Sequence, residues 1–128
     1  MGRRHYRVTL ADAIAAHDEA LTYGGRSGII GLGQIESALN RPYSGYHRPL
    51  YRKAAALLES MVANHGFTDG NKRTAWLLVE LLIARSGYVL TIPDDEPIDD
   101  LVVAVADGRM EFDALCAWFR LHLAQSGA

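Results

Sequence analysis

The sequence has little cysteine, no long hydrophobic run and almost no net charge, and each shortage excludes a class of protein. A single cysteine, Cys116, rules out an intramolecular disulfide, and its apolar neighbours predict a buried thiol in a reducing compartment. The longest apolar stretch, residues 75–84, contains Glu80 and is about half as long as a membrane span. The net charge of -2 provides no basic field for non-specific binding of nucleic acid.

The N-terminal residues also lack the apolar run of a signal peptide, because charged and polar residues follow the first basic ones. We therefore expect a cytoplasmic protein with no membrane segment and no direct nucleic-acid partner. With 128 residues, 49% of them hydrophobic, the chain can bury one continuous core. This predicts a single domain over residues 1–128, with its core at about 8–125.

Apolar residues recur at helical spacing along most of the chain. Thr9 and Asp12 are spaced as in a capping box, and the glycine-rich residues 24–33 are typical of a loop. The pattern predicts helices at about 10–22, 34–40, 50–64, 71–86, 98–106 and 111–124. Arg41 should end the second helix, since a residue before proline is pushed out of the helical region. The predicted fold class is all-α, a compact single-domain bundle of about six helices.

The helix predicted at 71–86 begins with an unusual arrangement of charge. It is apolar around nearly all of its circumference, which predicts a position in the centre of the fold. Lys72 and Arg73 nevertheless lie in its first turn, where the helix dipole is already positive and each cation costs a few tenths to about 1 kcal/mol. Gly70 would let a phosphate approach the unpaired N–H groups of the helix start. An anion that offsets the two cations is therefore expected here.

Two further side chains beside this helix start suit phosphate chemistry. Asp69 supplies a carboxylate of the kind that Mg²⁺ accepts when water and phosphate oxygens fill most of its shell. His65 can take a proton from an incoming hydroxyl near neutral pH. These residue types alone also fit an ordinary solvated helix start, and both interpretations remain open at this level. A zinc site is not expected, because His65 and Asp69 are only a pair.

The stretch HGFTDGNKR, residues 65–73, resembles the signature of the Fic/Doc family, H-x-F-x-[D/E]-G-N-[G/K]-R, at every defined position. Residues 23–42, 53–55 and 86–88 look like the Doc branch of that family, the death-on-curing toxins. The likeness covers nearly the whole chain. It implies the Fic/Doc fold, in which a loop and a helix N-terminus bind the phosphates of a nucleotide.

The resemblance also implies individual roles for the residues of the motif. By it, His65 is the catalytic base, Asp69 is the Mg²⁺ ligand, and Phe67 anchors the loop in the core. Phosphate-binding roles follow for the helix start, with Lys72 and Arg73 counted as catalytic as well: Gly70, Asn71, Lys72 and Arg73.

Two departures bear on which group is transferred. Fic enzymes that transfer AMP usually have glycine where this chain has Lys72, and a second arginine where it has Trp76. Doc proteins share the lysine, and their resemblance implies a protein kinase that moves the γ-phosphate of ATP to a threonine of elongation factor Tu and so inhibits translation. Transfer of AMP to a protein hydroxyl is the alternative. ATP is thus the expected co-substrate and Mg²⁺ the expected cofactor.

The same resemblance implies a toxin of a toxin–antitoxin system. No [S/T]-x-x-x-E-[G/N] inhibitory helix of the kind found in some Fic proteins appears near either end of the sequence. Restraint would then come from a separate Phd-like antitoxin that folds on binding.

Residues outside the motif have more than one interpretation. His17 is expected to be a satisfied core histidine, with a place in the pocket as the alternative. The tyrosine-rich residues 41–51 fall where the family places a flap that docks the target, or else they pack over the core. Two functions of another class stay open, namely a DNA-binding helical module and a noncatalytic binding protein.

Overall fold

The computed structural model describes residues 5–126, which fold into six α-helices, two short strands and two 3₁₀ turns. The helices are α1 (Leu10–Ala20), α2 (Leu32–Asn40), α3 (Leu50–Asn64), α4 (Asn71–Arg85), α5 (Ile98–Ala106) and α6 (Phe112–His122). The 3₁₀ turns are Leu21–Tyr23 and Arg41–Tyr43, and strands β1 (Tyr88–Leu90) and β2 (Leu123–Gln125) form an antiparallel pair. The predicted all-α class with about six helices is confirmed. The outermost parts of the predicted domain, 1–4 and 127–128, lie outside the described residues.

No helix within residues 5–126 is long and apolar enough to cross a membrane.

Helix α3 is the centre of the fold, because it packs against α2, α4, α5 and α6. Ala54, Ala55 and Ala56 are fully buried on it, and their small side chains let neighbouring helices approach closely. Leu57 and Leu58 on the same helix are also fully buried. Helix α1 packs on the far side of α4. The loop between α3 and α4 therefore emerges from the best-packed pair of helices.

The predicted capping box at the start of α1 is confirmed. The Asp12 N–H donates to Thr9 Oγ1 at 3.1 Å, and the Thr9 N–H donates to Asp12 Oδ2 at 2.9 Å. The Tyr6 hydroxyl donates to the same carboxylate oxygen at 2.6 Å. These bonds satisfy N–H groups that a helix start leaves free, and they fix the entry of the chain into α1.

Three local predictions differ from the structure. Helix α2 begins at Leu32 rather than at 34, and Arg41 keeps helical torsion angles (φ -54°, ψ -44°) because the chain continues into a 3₁₀ turn that contains Pro42. Helix α6 ends at His122, since the next residues pair with β1 instead of extending the helix.

The predicted central burial of α4 is only partly right. One side, which includes Leu78 and Leu82, is fully buried against the core. Trp76, Leu77 and Leu81 are only half-buried. Trp76 and Leu77 pack against the edge of the core and also line a surface cleft, so their apolar side chains serve both.

A charged cluster surrounds His47, which is a buried residue of the tyrosine-rich segment. Its ring packs edge-on against Phe112 with centroids 5.5 Å apart, and the guanidinium groups of Arg41 and Arg52 each lie 5.2 Å from the centre of the Phe112 ring. Arg41 also pairs with Glu59 at 2.7 Å. Burial lowers the pKa of His47, and the two arginines lower it further, while Glu59 acts in the opposite direction.

We expect this cluster to make the stability of the fold sensitive to mild acid. Because the pKa of His47 is lower in the folded than in the unfolded chain, the native state binds fewer protons below about pH 6.5, and the free energy of unfolding falls as pH drops. Urea denaturation at pH 7 and pH 5 should show a smaller fall in His47→Leu than in the parent. An equal fall in both proteins would contradict this role.

Candidate functional site

The loop between α3 and α4, residues 65–70, borders a cleft of about 780 Å³. The α3–α4 loop and the start of α4 form one wall, and α5 forms the opposite wall. The lining residues are Ala20, Tyr23, His65, Thr68, Asp69, Gly70, Asn71, Lys72, Arg73, Trp76, Leu77, Ile98, Asp99, Val102 and Val103. The cleft thus collects every polar residue of the sequence motif.

His65 follows the last residue of α3 and has a left-handed backbone, with φ 43° and ψ 49°. It is the one non-glycine residue with positive φ among residues 5–126. This conformation costs a residue with a Cβ about 1–2 kcal/mol. Its exposed side chain lines the cleft. Backbone strain of this kind is typical of functional sites, where the surrounding structure holds a side chain in place.

Phe67 and Asn71 hold the loop from the inside. Phe67 is 1% exposed, as its predicted role of core anchor requires. The Phe67 N–H donates to Asn71 Oδ1 at 3.1 Å, and Asn71 Nδ2 donates to the Phe67 carbonyl at 2.9 Å. Both ends of the Asn71 amide are therefore occupied within the loop. The group of Asn71 that is left to contact a phosphate is therefore its backbone N–H rather than its side chain.

The glycine-rich segment pairs with the loop from the outside, an arrangement that its composition did not reveal. Ile29 lies opposite Phe67 in an isolated antiparallel bridge. The Ile30 N–H donates to the Gly66 carbonyl at 2.9 Å, and the Thr68 N–H donates to the Gly28 carbonyl at 2.9 Å. Gly28 has φ +128°, and a Cβ there would lie 2.9 Å from Thr68 Oγ1. This pairing therefore requires glycine at position 28. The glycine itself is the signal that the sequence contains.

Asp69 presents a carboxylate to the cleft. Its Oδ2 accepts a hydrogen bond from the Arg26 N–H at 3.1 Å. Within residues 5–126, no three His, Cys, Asp or Glu side chains converge as metal ligands. A single exposed carboxylate suits Mg²⁺, which keeps several waters and takes its remaining ligands from substrate phosphates.

The start of α4 presents backbone donors and two cations. Gly70 precedes the helix with φ 76° and ψ 16°, and the first helical bond runs from the Thr74 N–H to the Gly70 carbonyl at 2.9 Å. The N–H groups of Asn71, Lys72 and Arg73 come before that bond, where helix geometry leaves them without an intrahelical acceptor. Lys72 and Arg73 are exposed, and neither takes part in an ion pair among residues 5–126.

The rest of the cleft lining is mostly apolar. It consists of Trp76 and Leu77 of α4 and of Ile98, Val102 and Val103 of α5, together with one carboxylate, Asp99. The Trp76 ring stacks on buried Phe119 with centroids 6.3 Å apart, which places an indole where a cation would otherwise extend the phosphate site. A ligand with an anionic end and an apolar end matches this division of the cleft.

Tyr23 also lines the cleft. The Arg73 guanidinium lies 5.4 Å from the centre of its exposed ring, at a distance typical of a cation–π contact.

The tyrosine-rich residues 41–51, interpreted from the sequence either as a target-docking flap or as cover for the core, do not contribute to the cleft. None of them is among the described residues that line the cleft. The Tyr43 hydroxyl accepts from the Val8 N–H at 2.7 Å and donates to the Tyr6 carbonyl at 2.8 Å, so this segment ties the N-terminal residues to the bundle. Tyr46 is 85% exposed. The segment beside the motif is instead the glycine-rich one.

The strained backbone of His65 leads to a stability prediction. His65→Gly should be about 1 kcal/mol more stable than His65→Ala, because glycine adopts a left-handed conformation without a Cβ clash. Ala63→Gly, in the last turn of α3, is the matched control and should destabilise by about 0.5–1 kcal/mol. Urea denaturation measures all three. A lower stability of His65→Gly than of His65→Ala would rule out strain at this position.

Comparison with known proteins agrees with the motif and the fold. The model of the Fic/DOC family matches residues 7–83 of the chain. A curated protein from Mycolicibacterium smegmatis, named Toxin Doc, is 33% identical over 105 residues, which cover 77% of this chain and 80% of that protein. A match of this extent, together with six helices around an intact motif, identifies the family. The chain belongs to the Fic/DOC family.

Proposed function

We propose that this protein is the toxin of a toxin–antitoxin pair and a protein kinase that transfers the γ-phosphate of ATP to a hydroxyl of a target protein. The observation that carries the proposal is the convergence of His65, Asp69 and the α4 start in one cleft. The similarity to a protein named Toxin Doc supports the toxin assignment. The reaction would take place in the cytoplasm, and the proposed target is a threonine of elongation factor Tu, as in the toxins that the motif resembles.

The mechanism follows from what each group in the cleft can do. The target hydroxyl gives its proton to His65 as its oxygen bonds to the γ-phosphorus, and the bond from that phosphorus to the bridging oxygen breaks, releasing ADP. The backbone N–H groups at the α4 start and the side chains of Lys72 and Arg73 hold the phosphates and balance their charge. Mg²⁺, held through Asp69, would supply further charge neutralisation.

Transfer of phosphate rather than AMP is favoured by the residues at positions 72 and 76. Lys72 adds a point charge at the phosphate-binding start of α4. A glycine at this position would leave more room for a bound nucleotide. Trp76 stacks on Phe119 and lines the mostly apolar part of the cleft, so it offers no cation to a second phosphate subsite.

The exposed backbone edge at Ile29 is the proposed docking site for an extended segment of the target. In its bridge with Phe67 the hydrogen bonds run through the neighbouring residues, so the N–H and C=O of Ile29 point to the opposite side. Ile29 and Ile30 are 44% and 69% exposed. An extended target segment can add to this edge by main-chain pairing and bring a hydroxyl towards His65.

A Phd-like antitoxin is the proposed second partner. A toxin needs restraint, and the relative's name places it among toxins. An antitoxin segment that folds over the toxin on binding would link inhibition to ordering of the segment.

The central experiment incubates the protein with purified elongation factor Tu, ATP and Mg²⁺ and reads the intact mass of the target. We expect a gain of one phosphate with the parent and none with His65→Ala, which removes the proton acceptor. A gain of one AMP would move the enzyme to the adenylylating branch. No gain with the parent would contradict elongation factor Tu as the target.

Lys72 gives a second prediction. Lys72→Gly should lower γ-phosphate transfer, because the phosphate-binding start of α4 loses a cation. The room gained by removing the lysine side chain should allow some AMP transfer. Arg109→Gly removes an exposed cation that lies outside the motif. It is the control and should keep the parental rate. Mass analysis of the target distinguishes the two products. Parental γ-transfer by Lys72→Gly would contradict the role of the lysine.

A further inference from the structure

His17 lies directly beneath the motif loop. It belongs to α1, is 4% exposed, and its ring stacks on Phe67 with centroids 3.9 Å apart and an interplanar angle of 11°. Its Nε2 lies 2.8 Å from the carbonyl oxygen of Asp69. A carbonyl can only accept, so Nε2 carries the proton and donates. The residue expected to be a satisfied core histidine is therefore satisfied by the loop that carries the motif.

The bond acts on a peptide whose orientation the local sequence does not fix. Gly70, with φ 76° and ψ 16°, has the torsion angles of the third residue of a type II turn, and Asp69 is not among the residues with positive φ. Rotating the Asp69–Gly70 peptide would convert the turn to type I, in which that third residue has φ of about -90°. Glycine adopts both conformations readily. Something outside the turn must select one of them.

The selected orientation matters for an anion in the cleft. While His17 holds the Asp69 carbonyl, that oxygen is directed at the His17 ring of α1 and is occupied by its N–H. In the rotated peptide, the oxygen would turn away from His17, and its negative dipole end would meet the phosphates. The Asp69 side chain is held separately, by the Arg26 N–H. Loss of the His17 bond would thus alter the peptide without freeing the carboxylate.

We propose that His17 is a positioning residue that fixes the Asp69–Gly70 peptide and so keeps the phosphate-binding loop open to Mg²⁺-ATP. The link to ATP rests on the proposed function, whereas the peptide orientation does not. The stacking on Phe67 and the hydrogen bond to Asp69 are separable contributions. Phenylalanine in place of His17 preserves a flat ring but cannot donate, and glutamine has a donor at a similar reach but no ring.

The test compares the parent with His17→Phe and His17→Gln. Titration with Mg²⁺-ATP should give an affinity weaker by about tenfold or more in His17→Phe, because a partly buried carbonyl without its donor favours rotation of the peptide. His17→Gln should remain within about threefold of the parent, since its donor replaces the lost one. Melting temperatures measured by circular dichroism establish that the variants are folded.

NMR reads the peptide directly and needs no nucleotide. In a type II turn the Asp69 Hα lies close to the Gly70 amide proton, and in a type I turn it does not. The nuclear Overhauser effect between them should be strong in the parent and in His17→Gln and weak in His17→Phe. A strong signal and parental Mg²⁺-ATP affinity in folded His17→Phe would overturn the proposal.

The remaining outcomes also decide. If His17→Phe does not fold, His17→Gln settles the matter, since a purely structural ring would make it lose affinity and the proposal expects it to keep affinity. If the parent itself does not bind Mg²⁺-ATP, the proposed function fails. The NMR comparison then still supports or overturns the orientation of the Asp69–Gly70 peptide.

Discussion

The close packing of α3 against α4 is the constraint on which the site depends. Alanines on α3 let the helices approach, and only residues 65–70 are left to reverse the chain. So short a connection forces the end of α3 and the start of α4 to the same cleft. It places His65 at one end of the loop and the free N–H groups of α4 at the other. The His65 side chain and a set of free backbone donors are therefore brought together by helix packing rather than by the loop alone.

The loop is rigid because its polar groups are used inward. Asn71 bonds both backbone groups of Phe67, His17 takes the Asp69 carbonyl, and the segment around Gly28 takes the Thr68 N–H. These bonds leave the side chains of His65, Asp69, Lys72 and Arg73 exposed. The two cations are available to a ligand, since no carboxylate among the described residues forms an ion pair with them. Preorganisation of this kind is what phosphoryl transfer needs, as most of its rate comes from positioning and charge neutralisation.

The sequence was sufficient for the helices and for the motif, and insufficient where distant segments meet. Periodicity located α3 to the residue, whereas the residue types around Gly70 fit both an anion site and an ordinary helix start. Periodicity failed at Leu123 and Ala124, because a short strand at the end of an apolar helix has the same local pattern as more helix. It also failed for Ile29, whose pairing with Phe67 depends on the register of two segments far apart in the chain. Asn71 has a side chain suited to a ligand or to a loop, and only its partners decide.

The bridge between Ile29 and Phe67 makes one short loop common to two binding surfaces. Residues 65–70 border the cleft on one side and support the exposed edge of the glycine-rich segment on the other. Neither surface can change its backbone without disturbing the other, because hydrogen bonds between the two segments hold both in place. The cleft and the exposed edge therefore share one backbone conformation.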